Sequence, residues 1–253
     1  MPTILKIISP LLLFIVFSTK LSAETQFESD ELHSGFTEVL RMHVKNGHVD
    51  YAGIKNNSRF EDYLLALKQT DSSALQTKEE TLAFWINAYN ALAIKGIIAG
   101  LSPSSFFGRI SYFKSADYEV GGKTLSLYAL EHDIIIPLQE PRIHFAIVCA
   151  SFSCPKLRSE AYLAASLEHQ LSENTIDFIN DPNKNQFSVD KKQARISKIF
   201  DWFEEDFKNA SGSVEEFIAQ FVNNTSHKTA LAQKQYQIKY LKYNWSLNGA
   251  PTS

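Results

Sequence analysis

Apolar residues recur every three or four positions along most of this chain, which is the spacing of an α-helix with one buried face. The clearest case is residues 77–100, where apolar side chains occupy nearly every face. Thr77 and Glu80 have the spacing of a capping box at its start, and Gly100 suits its end. The pattern therefore predicts a helix that is buried all round. Other helices are predicted at residues 28–45, 58–68, 126–136, 160–180, 201–207 and 213–222.

A short apolar run at residues 143–149 predicts a strand. The run is rich in Ile, Val and Phe, is interrupted only by His144, and begins soon after Pro141. A run of this length and composition favours a strand that is covered on both sides. Alternation would then place Cys149 on the face opposite His144.

The other strand patterns are weaker and suggest a small sheet. Two hairpins and a final strand are predicted at residues 118–125, 187–200 and 237–245. The first hairpin would turn at Gly121-Gly122, and residues 102–114 predict a loop. Together these elements predict an α+β fold, a predominantly helical single domain with a small, mostly antiparallel β-sheet that includes residues 143–149.

The first 23 residues have the features of a secretory signal peptide. Lys6 precedes an apolar run at residues 7–17, and a small residue, Ala23, ends the segment. The run is shorter than the roughly 20 residues that a membrane-spanning helix needs. We therefore predict cleavage after Ala23, one globular domain over residues 24–253, no transmembrane segment in the mature chain, and export to the bacterial periplasm or cell envelope.

The composition of the chain narrows the classes of molecule that the protein is expected to bind. The chain has 253 residues, of which 44% are hydrophobic and 21% charged, an ordinary globular balance. Loss of Lys6 and Lys20 with the signal peptide would leave 23 of the 25 basic residues against 28 acidic ones, a net charge of −5. A net acidic chain gives no reason to expect a nucleic-acid partner. We expect a small molecule or a peptide instead.

The two cysteines of the chain, Cys149 and Cys154, lie at the end of the predicted strand. Cys149 could be a nucleophilic thiolate. It would lie at the carboxyl end of the strand, where functional sites on sheets are often found. Cys149 could equally be a small buried residue, or could form a disulfide with Cys154 in an oxidising compartment. The C-x4-C spacing is wider than that of a usual metal pair, and no H-x3-H partner is present, so no metal or other cofactor is expected.

A nucleophilic Cys149 needs a base within hydrogen-bonding reach, roughly 3 Å. On a regular strand His144 would lie roughly 16 Å away and on the opposite face. We therefore assign catalysis to Cys149, with His132 as the base and a carboxylate, Glu131 or alternatively Glu80, that would orient it. His144 and Cys154 are assigned to the binding part of the site, where His144 would anchor buried polar groups.

Two amides, Asn87 and Asn90, lie side by side on the predicted apolar helix because they are three residues apart. Buried amides must find hydrogen-bond partners. They could orient a substrate or stabilise an oxyanion, and on this ground both are assigned to binding. They could also hold neighbouring backbone in place, a purely structural role.

Several of these stretches together resemble the family called domain of unknown function 547. The motifs are FWINAYN at residues 84–90, EH at 131–132, PRIHF at 141–145, Cys149 with SCP at 153–155, and WSLN at 245–248. The resemblance covers roughly residues 72–181. The family occurs in plant and animal proteins and in exported bacterial proteins. Because its bacterial members are exported, the resemblance implies a bacterial envelope setting for this chain. Plant relatives often carry serine or aspartate in place of these cysteines, which implies that a cysteine mechanism would belong to one branch.

Two functions follow as hypotheses. The first is a cysteine-dependent hydrolase or acyltransferase that acts on an amide or thioester, with Cys149 as nucleophile. The second is a non-catalytic periplasmic binding or scaffold module in which the cysteines are structural. Reactivity of Cys149 in the folded protein would separate the two hypotheses.

Overall fold

The fold was analysed in a computed structural model, which describes residues 30–250. The predicted signal peptide, residues 1–23, lies outside the described residues, and the domain boundary at residue 24 stays a prediction. Helices predominate, and the strands form three small sheets instead of one. The predicted α+β class is therefore confirmed.

The elements are numbered here in chain order. The α-helices are α1 Ser34–His43, α2 Tyr51–Lys55, α3 Ser58–Gln69, α4 Lys78–Ile98, α5 Phe106–Ile110, α6 Leu127–Ala129, α7 Leu167–Asn180, α8 Ile199–Trp202, α9 Glu204–Ser211, α10 Val214–Phe221 and α11 Thr225–Ala232. Short 3-10 or π-helical turns lie at Ser72–Ala74, Ser111–Ser115, Leu130–Ile135, Ile136–Leu138, Pro141–Phe145 and Ala164–Ser166. The strands are β1 Val44–Lys45, β2 His48–Asp50, β3 Asp117–Val120, β4 Lys123–Ser126, β5 Gln186–Ser188, β6 Gln193–Ile196, β7 Gln237–Tyr240 and β8 Gly249–Ala250.

The three sheets are mostly antiparallel, as predicted. The first has the order β1-β2-β8, with β1 antiparallel and β8 parallel to β2. The second is the β3-β4 hairpin, which turns at Gly121-Gly122 where both residues have positive φ. The third has the order β5-β6-β7, and β7 runs parallel to β6.

Helix α4 is the centre of the fold, and its prediction is confirmed. Every residue from Leu82 to Ile94 is buried. The capping box is present, since the Glu80 amide donates to Thr77 Oγ1 at 3.1 Å and the Thr77 amide donates to Glu80 Oε2 at 3.0 Å. Gly100 follows the helix with φ 87°. Glu80 thus caps the helix through Oε2, whereas its Oε1 is buried without a hydrogen-bond partner among the described residues.

The predicted strand at residues 143–149 is wrong. Pro141–Phe145 forms a 3-10 helix, capped by the Glu140 side chain, which accepts from the Arg142 amide. Residues 143–148 are all buried, so burial does not alternate as it would on a half-covered strand. The spacing of apolar residues cannot show whether an apolar run is covered by strands or by helices and loops. In this fold α4, α7 and α9 lie around residues 143–148.

Three further predictions were inexact. Residues 102–114 are not a loop throughout, since they contain α5, which begins because the Ser105 hydroxyl accepts from the Gly108 amide at 3.0 Å. The helix predicted at 160–180 begins only at Leu167, after a 3-10 turn. The final strand ends at Tyr240 instead of residue 245.

Two hydrophobic cores meet along α7. Leu167 and Leu171 of α7 pack into the first core, which surrounds α4. Phe178 and Ile179 of the same helix pack into the second core, a set of phenylalanines that includes Phe145. The segment after Phe145 belongs to the first core, which contains Ala146, Ile147 and Val148. Among residues 30–250, no helix is both long and apolar enough to cross a membrane.

Candidate functional site

A cavity of about 570 Å³ contains most of the sequence-predicted catalytic residues. Its wall includes Glu131, His144 and both cysteines. Eight aromatic residues also line it: Tyr89, Phe106, Phe113, Tyr128, Trp202, Phe203, Tyr243 and Trp245. Pockets that bind small molecules have this composition, largely apolar with a few polar groups.

Segments far apart in sequence form this cavity. Helix α5 and the turn after it supply Arg109, Phe113 and Lys114, and the π-helical turn Leu130–Ile135 supplies Glu131. The C-terminal side of the cavity comes from residues around α8 and from residues 243–245. The site therefore exists only in the folded chain.

The two cysteines form a disulfide in the cavity wall. Cys149 Sγ and Cys154 Sγ are bonded at 2.08 Å. The Cys149 amide donates to Cys154 Sγ at 3.0 Å, and the Tyr243 hydroxyl lies 3.2 Å from Cys154 Sγ and 3.3 Å from Cys149 Sγ. Ser151 Oγ donates to the Tyr243 hydroxyl at 3.1 Å. In this state Cys149 has no thiolate, and of the sequence alternatives the disulfide is the one present.

Glu131 is the cavity residue with a carboxyl that titrates near neutral pH. Burial raises its pKa to about 7, and the Tyr89 phenol, which hydrogen-bonds to it, opposes part of that rise. Conversely, burial and the nearby Glu131 raise the pKa of Tyr89 well above its usual value. A carboxyl in this condition can change its charge over a physiological pH range.

His144 forms a buried pair with Asp206. Its Nε2 lies 2.7 Å from Asp206 Oδ2, and because a carboxylate only accepts, Nε2 carries the proton. The ring stacks on Phe203 with centroids 3.9 Å apart, and Nδ1 has no hydrogen-bond partner among the described residues. Burial lowers the pKa of His144, although Asp206 opposes this. The ring is therefore held neutral with a lone pair on Nδ1.

Part of the chain, including much of the cavity wall, matches a known protein family. Residues 73–179 match the family model described as "Protein of unknown function, DUF547". The chain is similar to this family over these residues, which are called the DUF547 segment below. Neither the curated proteins nor the solved structures contain a match. The DUF547 segment contains α4, Glu131, His144 and the disulfide, whereas Asp206, Trp202 and Trp245 lie beyond it.

The DUF547 segment also contains His132, which the structure does not bring to Cys149. Its Nδ1 lies 3.1 Å from the Tyr128 carbonyl oxygen, and its ring stacks on Tyr128 at 3.9 Å. Glu131 and His132 are neighbours on a helical turn and so point in different directions. Glu131 faces the main cavity, whereas His132 lines a separate one with Asp206. A catalytic role for His132 stays a prediction.

Asn87 and Asn90 each clamp two backbone groups. Asn87 Nδ2 donates to the Tyr162 carbonyl at 2.7 Å, and its Oδ1 accepts from the Tyr162 amide at 2.8 Å. Asn90 bonds in the same way to the Ala146 carbonyl at 3.0 Å and to the Val148 amide at 2.8 Å. Both amides thus hold neighbouring backbone, and neither lines the main cavity, so their assignment to binding stays a prediction.

Sequence reasoning missed the cations and aromatic residues of the cavity. The Arg109 guanidinium lies 4.8 Å from the Trp245 ring centroid, and Lys114 Nζ lies 4.3 Å from that of Tyr128. In the described part of the chain, neither cation forms a salt bridge. The only available signal was Trp245 in the WSLN motif. Over residues 30–250, no group of three His, Cys, Asp or Glu side chains is placed to hold a metal ion.

Proposed function

We propose that the cavity makes this protein a binding module for a small amphipathic anion, a molecule with a flat apolar body and one carboxylate, phosphate or sulfonate group. The observation that carries this proposal is the pair Arg109 and Lys114, which rest on aromatic rings of the cavity wall without a carboxylate partner among the described residues. A cation in this setting gains an ionic partner when an anion enters.

The aromatic residues suit the body of such a ligand. Trp202, Tyr243 and Trp245 lie within 4.5 to 5.7 Å of one another by ring centroid. Rings at this spacing present flat apolar surface, and an aromatic partner can stack on it. Arginine adds a planar fork that matches the two oxygens of a carboxylate or phosphate. The cavity thus has one part for the body and one for the charge.

The exposed phenylalanines of α5 extend the apolar surface outside the cavity. Phe106 is 64% exposed and Phe107 78% exposed, and Phe106 also lines the cavity. Large apolar side chains of this exposure are uncommon on a soluble surface unless they contact something. We assign them to the entry side of the site, where they would contact an apolar ligand first.

Tryptophan fluorescence tests the proposal because two of the three tryptophans, Trp202 and Trp245, line the cavity, whereas Trp85 is buried in α4. The probe is 8-anilinonaphthalene-1-sulfonate, and its uncharged analogue is N-phenyl-1-naphthylamine. We expect saturable one-to-one binding of the sulfonate with quenching of tryptophan emission. The uncharged analogue should bind about tenfold more weakly, because it lacks one charge-assisted contact.

Substitution of the cation gives the decisive comparison. Arg109→Gln should weaken sulfonate binding about tenfold and leave binding of the uncharged analogue unchanged. Arg59→Gln is the matched control, since Arg59 lies on α3 beside Glu38 and outside the cavity. Equal affinity of the wild-type protein and Arg109→Gln for the sulfonate would refute the anion site.

We also propose export to the cell envelope, with cleavage after Ala23. The signal-like N-terminus supports it, and so does the disulfide, since disulfides persist in oxidising compartments. The intact mass of the protein recovered from the cells that make it tests this proposal. A chain that begins at Glu24 supports it, and an unprocessed chain in the cytoplasmic fraction contradicts it.

A cysteine-dependent hydrolase or acyltransferase is the second candidate, and it requires the reduced state. The His144–Asp206 pair favours it, because His144 lines the same cavity as Cys149 and its Nδ1 has no hydrogen-bond partner among residues 30–250. The reduced protein would be assayed with aryl esters and thioesters of aromatic acids. Turnover lost in Cys149→Ala and lowered in Asp206→Asn supports this candidate. Turnover equal in wild type and Cys149→Ala removes it.

A further inference from the structure

We propose that the Cys149–Cys154 disulfide is a reactive one, which undergoes thiol–disulfide exchange with an external dithiol that enters the cavity. This activity goes beyond ligand binding and does not depend on the amphipathic anion. Its first support is position, because both sulfurs belong to residues that line the cavity. A disulfide that served only to close a loop would have no need of a cavity beside it.

The two sulfurs have different surroundings. Cys149 is partly exposed, whereas Cys154 is only 5% exposed. An incoming thiolate therefore reaches Cys149 Sγ, and Cys154 becomes the leaving group. The rate of such an exchange depends on which sulfur is accessible and on the stability of the leaving thiolate.

The structure places hydrogen-bond donors on the leaving sulfur. The Cys149 amide donates to Cys154 Sγ at 3.0 Å, and the Tyr243 hydroxyl, 3.2 Å from Cys154 Sγ and 3.3 Å from Cys149 Sγ, can donate to Cys154 Sγ as the bond breaks. Ser151 donates in turn to the Tyr243 oxygen at 3.1 Å, which directs the phenol proton towards sulfur. Hydrogen bonds to an anion favour its formation, so this chain of donors stabilises the Cys154 thiolate.

The exchange balances in two steps. The thiolate of the dithiol attacks Cys149 Sγ, a mixed disulfide forms, the Cys149–Cys154 bond breaks, and its electron pair leaves on Cys154. The second thiol of the dithiol, as thiolate, then attacks the dithiol's own sulfur in the mixed disulfide and releases Cys149. The dithiol is oxidised to a disulfide, and the protein gains two electrons and two protons as two thiols.

The loop that carries the disulfide is held independently of the bond. The Phe152 amide donates to the Ser246 carbonyl at 2.7 Å, and the Ser153 amide donates to the Asn244 carbonyl at 3.1 Å. Lys184 Nζ donates to the Phe152 carbonyl, and Asn90 holds the Val148 amide. Exchange therefore opens the bond within a loop that keeps its place, and unfolding is not required.

Reduction of the native protein by dithiothreitol, with iodoacetamide trapping and mass analysis, tests this. We expect a rate proportional to dithiothreitol concentration and faster than global unfolding. Tyr243→Phe should slow reduction about tenfold, because it removes one hydrogen bond to the leaving sulfur. Tyr240→Phe, on β7 and outside the cavity, should react as wild type. A rate that does not depend on dithiothreitol and equals the unfolding rate would overturn the proposal.

Single-cysteine variants test which sulfur is attacked without relying on Tyr243. Cys154→Ser leaves Cys149 to react with oxidised glutathione, and Cys149→Ser leaves Cys154. We expect the mixed disulfide to form at least tenfold faster in Cys154→Ser, with the adduct located on Cys149 by peptide mass. Equal rates, or faster reaction of Cys154, would contradict the assignment. Circular dichroism of each variant confirms that the rates belong to folded protein.

Discussion

At the scale of single residues, Glu131 gives the cavity a charge that depends on pH. Its carboxyl has a pKa raised to about 7 by burial, so it is neutral below that pH and negative above it. We predict that affinity for the naphthalene sulfonate falls about tenfold between pH 6 and pH 8.5, an effect of about 1.4 kcal/mol of charge repulsion. The sulfonate stays charged throughout, so the change reports the protein.

Glu131→Gln is the control for this pH dependence. It keeps the shape of the side chain and cannot ionise, so its affinity should be flat across the same range. Stability gives a second readout. An acid whose pKa is higher in the folded state binds more protons when folded, so the free energy of unfolding should fall as pH rises from about 4.5 to about 7. A step of equal size in Glu131→Gln would assign the titration to another group.

His144 is excluded as the cause of that step by its surroundings. Burial lowers its pKa, so the ring binds fewer protons in the folded state than in the unfolded state, and its titration makes the free energy of unfolding rise with pH instead of fall. The sequence marked both residues as candidates but did not show which groups they contact. Glu131 was expected to orient His132, but it bonds to Tyr89 instead, and the Asp206 partner of His144 lies 62 positions away. Such long-range partners leave no local signal.

At the scale of elements, the amide clamps of α4 fix the course of the segment after Phe145. Asn90→Ala would leave the Ala146 carbonyl and the Val148 amide buried without partners. We predict a loss of about 2–4 kcal/mol in the free energy of unfolding, since each unsatisfied buried group costs about 1–3 kcal/mol. Chemical denaturation measures this directly.

Lys95→Ala is the matched control for Asn90→Ala. Lys95 lies on the same helix but is exposed, so its substitution should change stability by less than about 0.5 kcal/mol. Similar values for the two variants would mean that the clamp contributes nothing. The clamp explains why Asn90 lies on an otherwise apolar helix. The sequence alone could not decide whether Asn90 binds a ligand or holds the backbone.

The elements that the sequence predicted well are those with local signals. Helix α4 has its capping box within four residues and a continuous apolar stretch, and the β3-β4 hairpin has two adjacent glycines at its turn. The run at residues 143–149 has only its apolar character, which strands and buried irregular segments share. What covers such a run is decided by elements elsewhere in the chain, here α4 and α7.

At the scale of the whole molecule, the cavity joins the DUF547 segment to the chain that follows it. Arg109, Lys114, Glu131 and the disulfide come from residues 73–179, whereas Trp202, Tyr243 and Trp245 come from the later part. The disulfide loop contacts both, through Asn90 on one side and Asn244 and Ser246 on the other. The cavity therefore extends beyond the family segment.

This arrangement predicts that the protein stays folded when the disulfide is reduced. A bridge that closes so short a loop removes little entropy from the unfolded chain, so we expect its loss to cost about 2 kcal/mol of unfolding free energy. Denaturation with and without a phosphine reductant measures the difference, and Cys149→Ala/Cys154→Ala should reproduce it. Retained sulfonate binding in the reduced protein would show that the cavity survives, because Arg109 and Trp245 do not depend on the bridge. Collapse of the fold on reduction would make the disulfide a structural clip and would contradict exchange in the native state.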